Sequence, residues 1–558
     1  MQQEIAGDLP VTLVHWLASF APIAILLLLL VWRRWSTSSA VPVALAAAAA
    51  TARFLMRAPL DTLAVATGKG IWDAIFVLYV IWPSLILYNV ASDARAFESI
   101  QEGVRRIMPD RLLIVLAFAW ILASFIQAIA GFGTPLAVTV PLLIGLGVRP
   151  IYAVVLPMIG AAWVNPFGSL GATWLATLTV VDLPNEPSAL RYAATLLWVP
   201  NLAGGLFVAW AYGRWWALKR AGPAIVVISA LHGGLQLLLI PLLPTIGAFL
   251  ATSAALAATF ALNRWSYYRQ EDEDEPDLVF EDWARIDPGS QEGPARTAQR
   301  GKARGEDQEP PMSLALAFAP YAILGVLAIA ALVIQPVREV LERVRVGLPF
   351  PATSTGYNVK RAATDAYAAF TPLTHPGTLL LVFAAASYLL YRARGLFREE
   401  TGVRSVITEV AEDALPATTA ITALLVISKV MDHSGQITIL ALGVTALAGS
   451  LVYLGFSILI GALGSLITSS NTAPNVLFAP LQATAAEVEG LSVDLVVAAQ
   501  TAGGAIGNAV SPGDALLGAT VAGIAGRLGA VLQRAIPWVL VVGLLTAAAT
   551  LVLHLFLL

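Results

Sequence analysis

Long apolar runs separated by short polar segments occupy most of the chain. A helix that crosses a bilayer needs about 20 mostly apolar residues. The runs of that kind ahead of a charged stretch are Val11–Trp32, Val41–Met56, Ile71–Val90, Leu112–Ala130, Ile151–Val180, Tyr192–Tyr212, Ala224–Leu243 and Thr245–Leu262. After it come Leu314–Ile334, Thr378–Tyr391, Val406–Val430, Ile437–Leu454, Leu491–Val510 and Ile536–Leu557. Two shorter pieces, Leu136–Leu146 and Phe456–Leu481, are interrupted by Gly and Pro. The pattern predicts an all-α polytopic membrane protein with roughly 12–14 membrane elements.

Composition agrees: 58% of the 558 residues are hydrophobic and only 12% are charged. Many of the charges crowd into Arg264–Glu309, so the remainder is too apolar to face water. A soluble enzyme, a nucleic-acid binder and a disordered protein are excluded. There is no cysteine, and the five histidines are scattered without metal-ligand spacing, so no metal site or cofactor is expected. The N-terminus has Glu4 and Asp8 but no basic residue, so the first apolar run reads as a retained span.

Lys and Arg mark cytoplasmic loops. Arg33 and Arg34, then Arg95, Arg105, Arg106 and Arg111, then Arg214, Lys219 and Arg220, and finally Arg264–Glu309 and Arg392–Arg404 fit one zigzag with an extracytoplasmic N-terminus. The segment Val337–Pro376 breaks the rule, carrying Arg338, Arg343, Arg345, Lys360 and Arg361 on the outer side. Either the count is off by one or this segment folds back onto the protein. The acidic and Pro/Gly/Gln-rich stretch at 264–312 reads as a solvated cytoplasmic linker between membrane halves 1–263 and 313–558.

Backbone groups freed by Gly and Pro inside a span are tolerated only within protein or beside a watery cavity. Four such breaks occur: AGFGTPLAVTVP (130–141), WVNPFGSLGATW (163–174), LITSSNTAPNVLFAP (466–480) and GGAIGNAVSPGDALLGAT (503–520). In each half a Gly/Ser/Thr/Pro break is followed by an Asn–Pro–Gly type, at similar separation. Paired interruptions of this kind point to a transporter site between two repeats. Helix N-termini at the breaks suit a carboxylate, and Ser, Thr and Asn add neutral donors and acceptors.

The blocks QAIAGFGTPLAVTVPLLIGLGVRPIYAVVL (127–156) and SSNTAPNVLFAPLQATAAEVEGLSVDLVVAAQTAGGAIGNAVSP (469–512) resemble the two signatures of the L-lactate permease family, and the likeness spans nearly the whole chain. The resemblance implies proton-coupled uptake of lactate or glycolate. It also implies kinship with an ion-transporter superfamily built from two inverted repeats with re-entrant hairpins. Carried over, Gly131, Phe132, Gly133 and Thr134 form one hairpin tip and Ser469, Ser470, Asn471 and Thr472 the other, with Asn165, Asn508 and Ser511 completing a substrate site. Gln127 stands where the family pattern is acidic, Asn471 where it has Asp, and Asn508 where it has Lys. With those charges missing, Asp514 is the candidate proton carrier, Gln127 the neutral occupant of the other coupling position, and a sodium ion on neutral oxygens the second route.

The other ionisable groups near spans invite blander readings. Arg53, Arg57 and Lys429 read as snorkelling, His232 as a satisfied histidine between helices, and Asp73 as interfacial. The reading is thus a multi-pass transporter of a prokaryotic plasma membrane, importing small 2-hydroxymonocarboxylates with H+ or Na+. Its partners are the carboxylate, the ion and lipid, with no nucleic acid; homo-oligomer formation stays open. An uncoupled carboxylate facilitator and an integral-membrane enzyme using His375 or His433 are the alternatives.

Overall fold

The computed structural model describes residues 8–131, 133–268, 279, 311–397, 402–446 and 449–556. Helix dominates. The first half contains α1 (Leu13–Trp32), α2 (Thr37–Leu55), α3 (Leu60–Asp93) and the amphipathic α4 (Ala96–Ile107), then α5 (Arg111–Ile129), α6 (Thr134–Gly145), α7 (Pro150–Gly160) and α8 (Gly168–Val180). It closes with α9 (Glu186–Leu239) and α10 (Gly247–Leu262). The second half has α11 (Leu314–Leu332), α12 (Gln335–Leu341), four short strands, α13 (Pro376–Ala393), α14 (Val403–Ser434), α15 (Gln436–Thr445), α16 (Ser450–Thr468), α17 (Thr472–Glu489), α18 (Val493–Asn508), α19 (Pro512–Val521) and α20 (Leu528–Leu555). Eleven helices among the described residues are long and apolar enough to span, or twelve with the bent pair α7–α8.

Local chemistry sets several boundaries. Asp110 caps α5 by accepting the Leu113 N–H at 2.8 Å, and Ser313 and Ser492 cap α11 and α18 in the same way. Gly435 and Gly490 end α14 and α17 in the left-handed conformation that favours glycine. The separate runs expected at Tyr192–Tyr212 and Ala224–Leu243 lie within α9, which turns sharply at Gly213–Arg214, where Arg214 has φ 54°. The basic residues there sit at the turn between two spans, as the loop expectation requires.

Burial separates inner from outer spans. The α5 span and the Val493–Val521 span are each 94% buried, whereas α1 and Ala525–Leu555 are only 28% buried and present Leu and Val outward. The broken elements therefore lie in the protein interior, where freed backbone groups find partners. Beside them, α3 packs along α14, α13 and α8.

The segment after α11 folds back onto the N-terminal part of α3 and the C-terminal end of α14. Strand β1 (Val346–Phe350) pairs antiparallel with β4 (Thr364–Phe370), and β2 (Thr353–Ser354) pairs with β3 (Lys360–Arg361). Its basic residues are partly neutralised within the protein: Arg338 bonds Glu342 at 2.6 Å and Arg361 bonds Asp432 at 2.6 Å. The segment is thus a cap folded back onto the protein. Of the 264–312 linker reading, residues 264–268, 279 and 311–312 are described: Tyr268, Val279 and Met312 are buried, and the Val279 carbonyl accepts the Arg149 N–H at 2.7 Å, while the rest lies outside the described residues.

Candidate functional site

The four breaks converge on one interior cavity of about 70 Å³. A single water needs roughly 10–15 Å³ of such volume, so the space suits a molecule of only a few heavy atoms. Each break ends one helix and starts another. Gly133, at φ 83°, turns the chain from α5 into α6. Between α7 and α8 a 3₁₀ turn (Ala162–Phe167) is followed by Ser169, Leu170 and Gly171, all at positive φ. Ser469, at φ 53°, ends α16 just before α17 begins, and Ser511 caps α19 by accepting the Asp514 N–H at 3.3 Å. Left-handed conformations cost L side chains energy and persist where surrounding contacts impose them.

The contacts here do so. The Gly131 N–H donates to Ser169 Oγ at 2.8 Å, joining the first break to the second. Gln127 Nε2 donates to Asn165 Oδ1 at 2.5 Å across the same pair. Ser469 Oγ accepts the Gly513 N–H at 2.9 Å, joining the third break to the fourth. The halves meet where the Thr173 and Thr472 hydroxyls lie 2.8 Å apart, and where Asn475 Nδ2 donates to Thr177 at 3.0 Å and to Thr501 at 3.1 Å. Asn508 Nδ2 donates to Asp514 Oδ2 at 2.8 Å.

The cavity wall carries most of the expected residues: Gln127, Gly131, Gly133, Asn165, Ser469, Ser470, Asn471, Thr472, Asn508 and Asp514. Asn471 is buried with both side-chain polar atoms unpartnered, and Asn508 Oδ1 is also unpartnered. Such groups are costly unless something bonds them. No Lys, Arg or His lines the cavity, and Asp514 is its one ionisable group among the described residues.

Two expected residues stand elsewhere. Thr134 lines a small second cavity with Leu87, Tyr88, Phe97 and Tyr321, on the other side of the first tip. Ser511 is fully buried in its capping role and is not on the cavity wall. Phe132 lies outside the described residues. The wall also contains Ser169 and Thr173, which the sequence reading did not single out. The signal was present, since both are small hydroxyl residues next to glycine or alanine in the second break, but their facing direction depends on the left-handed turn.

One of the blander readings is overturned. Asp73 is fully buried within α3, because the cap and α14 cover it. Lys429 does not snorkel outward: its ammonium lies 3.3 Å from Asp73 Oδ2 and also donates to the Thr179 carbonyl at the end of α8. Tyr367 of the cap donates to Asp73 at 3.0 Å, and burial pushes its hydroxyl up to about 12, which keeps it a donor. His433 lies in the last turn of α14 rather than in a loop, with Nδ1 3.0 Å from Thr353 Oγ1. His232 is buried between Trp120 and Trp163, with Nδ1 3.2 Å from Asn201 Oδ1.

A bundle of spans built around buried, broken helices and a small polar cavity defines a multi-pass membrane transporter. The family model for L-lactate permease matches residues 15–557, and the chain belongs to that family. It is similar to the L-lactate permease of Bacillus subtilis (strain 168), with 27% identity covering 94% of this chain and 92% of that protein. It is also similar to the glycolate permease of Escherichia coli (strain K12), with 27% identity covering 85% and 84%. Among solved structures, the YdaH transporter of Alcanivorax borkumensis aligns over 87% of this chain and 86% of its own, with 16% identity and a TM-score of 0.40. The protein is thus a multi-pass protein of a prokaryotic plasma membrane.

Proposed function

We propose that the protein imports small 2-hydroxymonocarboxylates, L-lactate first and D-lactate or glycolate with it, by secondary active transport and alternating access. The observation that carries the reading is the cavity where α6, α8, α17 and α19 begin. Their N-termini offer partial positive charge to a carboxylate. Asn471, Asn508, Ser169 and Thr173 are placed to bond the carboxylate and the 2-hydroxyl. The chain order of hairpin followed by broken helix, once in each half, supports two inverted repeats with the substrate between them. Relatives named for lactate and glycolate, both small hydroxy acids, agree with so small a space.

Import of an anion against an interior-negative potential costs about 2.3 kcal/mol per 100 mV, so accumulation needs a co-transported cation. Asp514 is the proton route, because it alone on the wall can change charge. Neutral oxygens of Ser469, Ser470, Asn471 and Thr472 are the sodium route. Uptake of labelled lactate and glycolate into proteoliposomes under separately imposed proton and sodium gradients tests both. Accumulation under one gradient identifies the coupling ion. Equilibration without accumulation under either gradient would make the protein a facilitator, and no uptake at all would refute the transport reading.

A further inference from the structure

The charged cluster beneath the outer cap does not balance. On α3, Lys69 lies one turn before Asp73, and both are buried, at 5% and 0% exposure. Asp73 is already engaged by Lys429 and Tyr367. The Lys69 ammonium sits 4.9 Å from the Tyr367 ring centre and 5.9 Å from that of Phe350, and it hydrogen-bonds none of the described residues. Nearby Arg361 and Asp432 neutralise each other, and Asp182, which also faces Arg361, is exposed. Three cations, Lys69, Lys429 and Arg361, thus face two carboxylates, Asp73 and Asp432, in this cluster. Aromatic faces attract a cation but do not neutralise it. A cation in excess of the carboxylates around it is expensive to bury, and an anion would offset that cost.

Position says which anion. On the topology that the basic loops predict, the cluster lies on the outer side of the membrane, under the cap. It is joined to the central cavity by α8: Thr173 lines the cavity, and the Thr179 carbonyl that receives Lys429 lies roughly 9 Å further along the helix. Among the described residues, the cavity wall itself holds no cationic side chain. We propose that Lys69, with Lys429 and Tyr367 beside it, forms an outer site for the carboxylate of a small organic anion, occupied before the anion reaches the central cavity. This rests on the transport reading above. The outer ammonium raises the local concentration of the anion, and the helix N-termini further in then hold it without a fixed charge that would trap it.

The test is the kinetics of labelled lactate uptake into proteoliposomes by Lys69→Gln, Lys69→Met and Lys69→Arg. Loss of the ammonium raises KM on the order of tenfold with Vmax retained per folded protein, and Lys69→Arg stays near wild type. A merely structural role would lower Vmax and leave KM unchanged, which would overturn the site. A wild-type measurement covers the case in which the neutral variants do not fold. Choline chloride at matched osmolarity with sorbitol raises the wild-type KM, because chloride competes for an exposed-side ammonium. A KM indifferent to chloride would overturn the site. Absence of any wild-type uptake would instead refute the transport reading on which the site depends.

Discussion

At the scale of single residues, the cavity works through neutral polar groups and one carboxylate. Asp514 is held by Asn508 and, through its N–H, by the capping Ser511. Asp514→Asn keeps those contacts in shape while removing the titrating group. Under proton coupling it abolishes pH-driven accumulation of lactate and leaves lactate–lactate exchange intact. Unchanged pH-driven accumulation in that variant would remove Asp514 from coupling. Gly133 makes a different demand. Its φ of 83° suits glycine, and a β-carbon there would press on Leu517 of α19. Gly133→Val is expected to cost about 1–3 kcal/mol from backbone strain alone. In membranes it should lower transport at least tenfold, and normal uptake by a normally inserted Gly133→Val protein would show that the first tip has room to adjust.

Among the elements, α3 and α14 are pinned to the end of α8 by buried ionic contacts. Lys429 reaches from α14 to Asp73 on α3 and to the Thr179 carbonyl on α8, and Tyr367 closes the group from the cap. Removing one member of a buried ion pair leaves an uncompensated charge, which costs about 3–5 kcal/mol, whereas removing both is close to neutral. Asp73→Asn, which leaves the Lys69 and Lys429 ammonium groups without the carboxylate they face, should therefore lower the thermal unfolding midpoint in detergent markedly. The double variant Asp73→Asn with Lys429→Met should recover part of the loss, since Lys69 remains. Equal midpoints for single and double variants would show that the pair contributes no coupling. Sequence inspection had placed both residues at the membrane surface, because each lies near the end of an apolar run. The cap that covers Asp73 comes from a segment 294 residues away in the chain, and no local pattern announces such a contact.

For the whole molecule, the charged linker is the segment with the least apolar content. Residues 281–309 are expected to be replaceable by a short flexible linker with uptake preserved, since their composition cannot bury a core. The start of the segment is different, because buried Val279 accepts the Arg149 N–H at the beginning of α7. Val279→Asp should weaken the folded protein, and the linker replacement should not. Loss of uptake by a well-inserted linker-replaced protein would assign that segment a specific role.

Apolar run length was enough to place the spans, because lipid imposes one requirement on every segment that crosses it. The same requirement made the breaks visible: Gly131–Thr134, Asn165, Ser469–Thr472, Asn508 and Asp514 stood out as polar or flexible residues where lipid would not accept them. Most of these residues do meet at one cavity. Direction was not legible. Thr134 turns to the second cavity, Ser511 is consumed in capping, and Ser169 and Thr173 face inward because three consecutive residues adopt the left-handed conformation. Nor was the burial of Asp73, Lys69 and Lys429, which depends on a cap folding back across the N-terminal part of α3 and the C-terminal end of α14. Lipid acts on each segment independently, so its effect can be read from the chain one run at a time. The facing of a side chain and the pairing of a buried charge depend on which distant segments pack together, and only the folded structure brings those together.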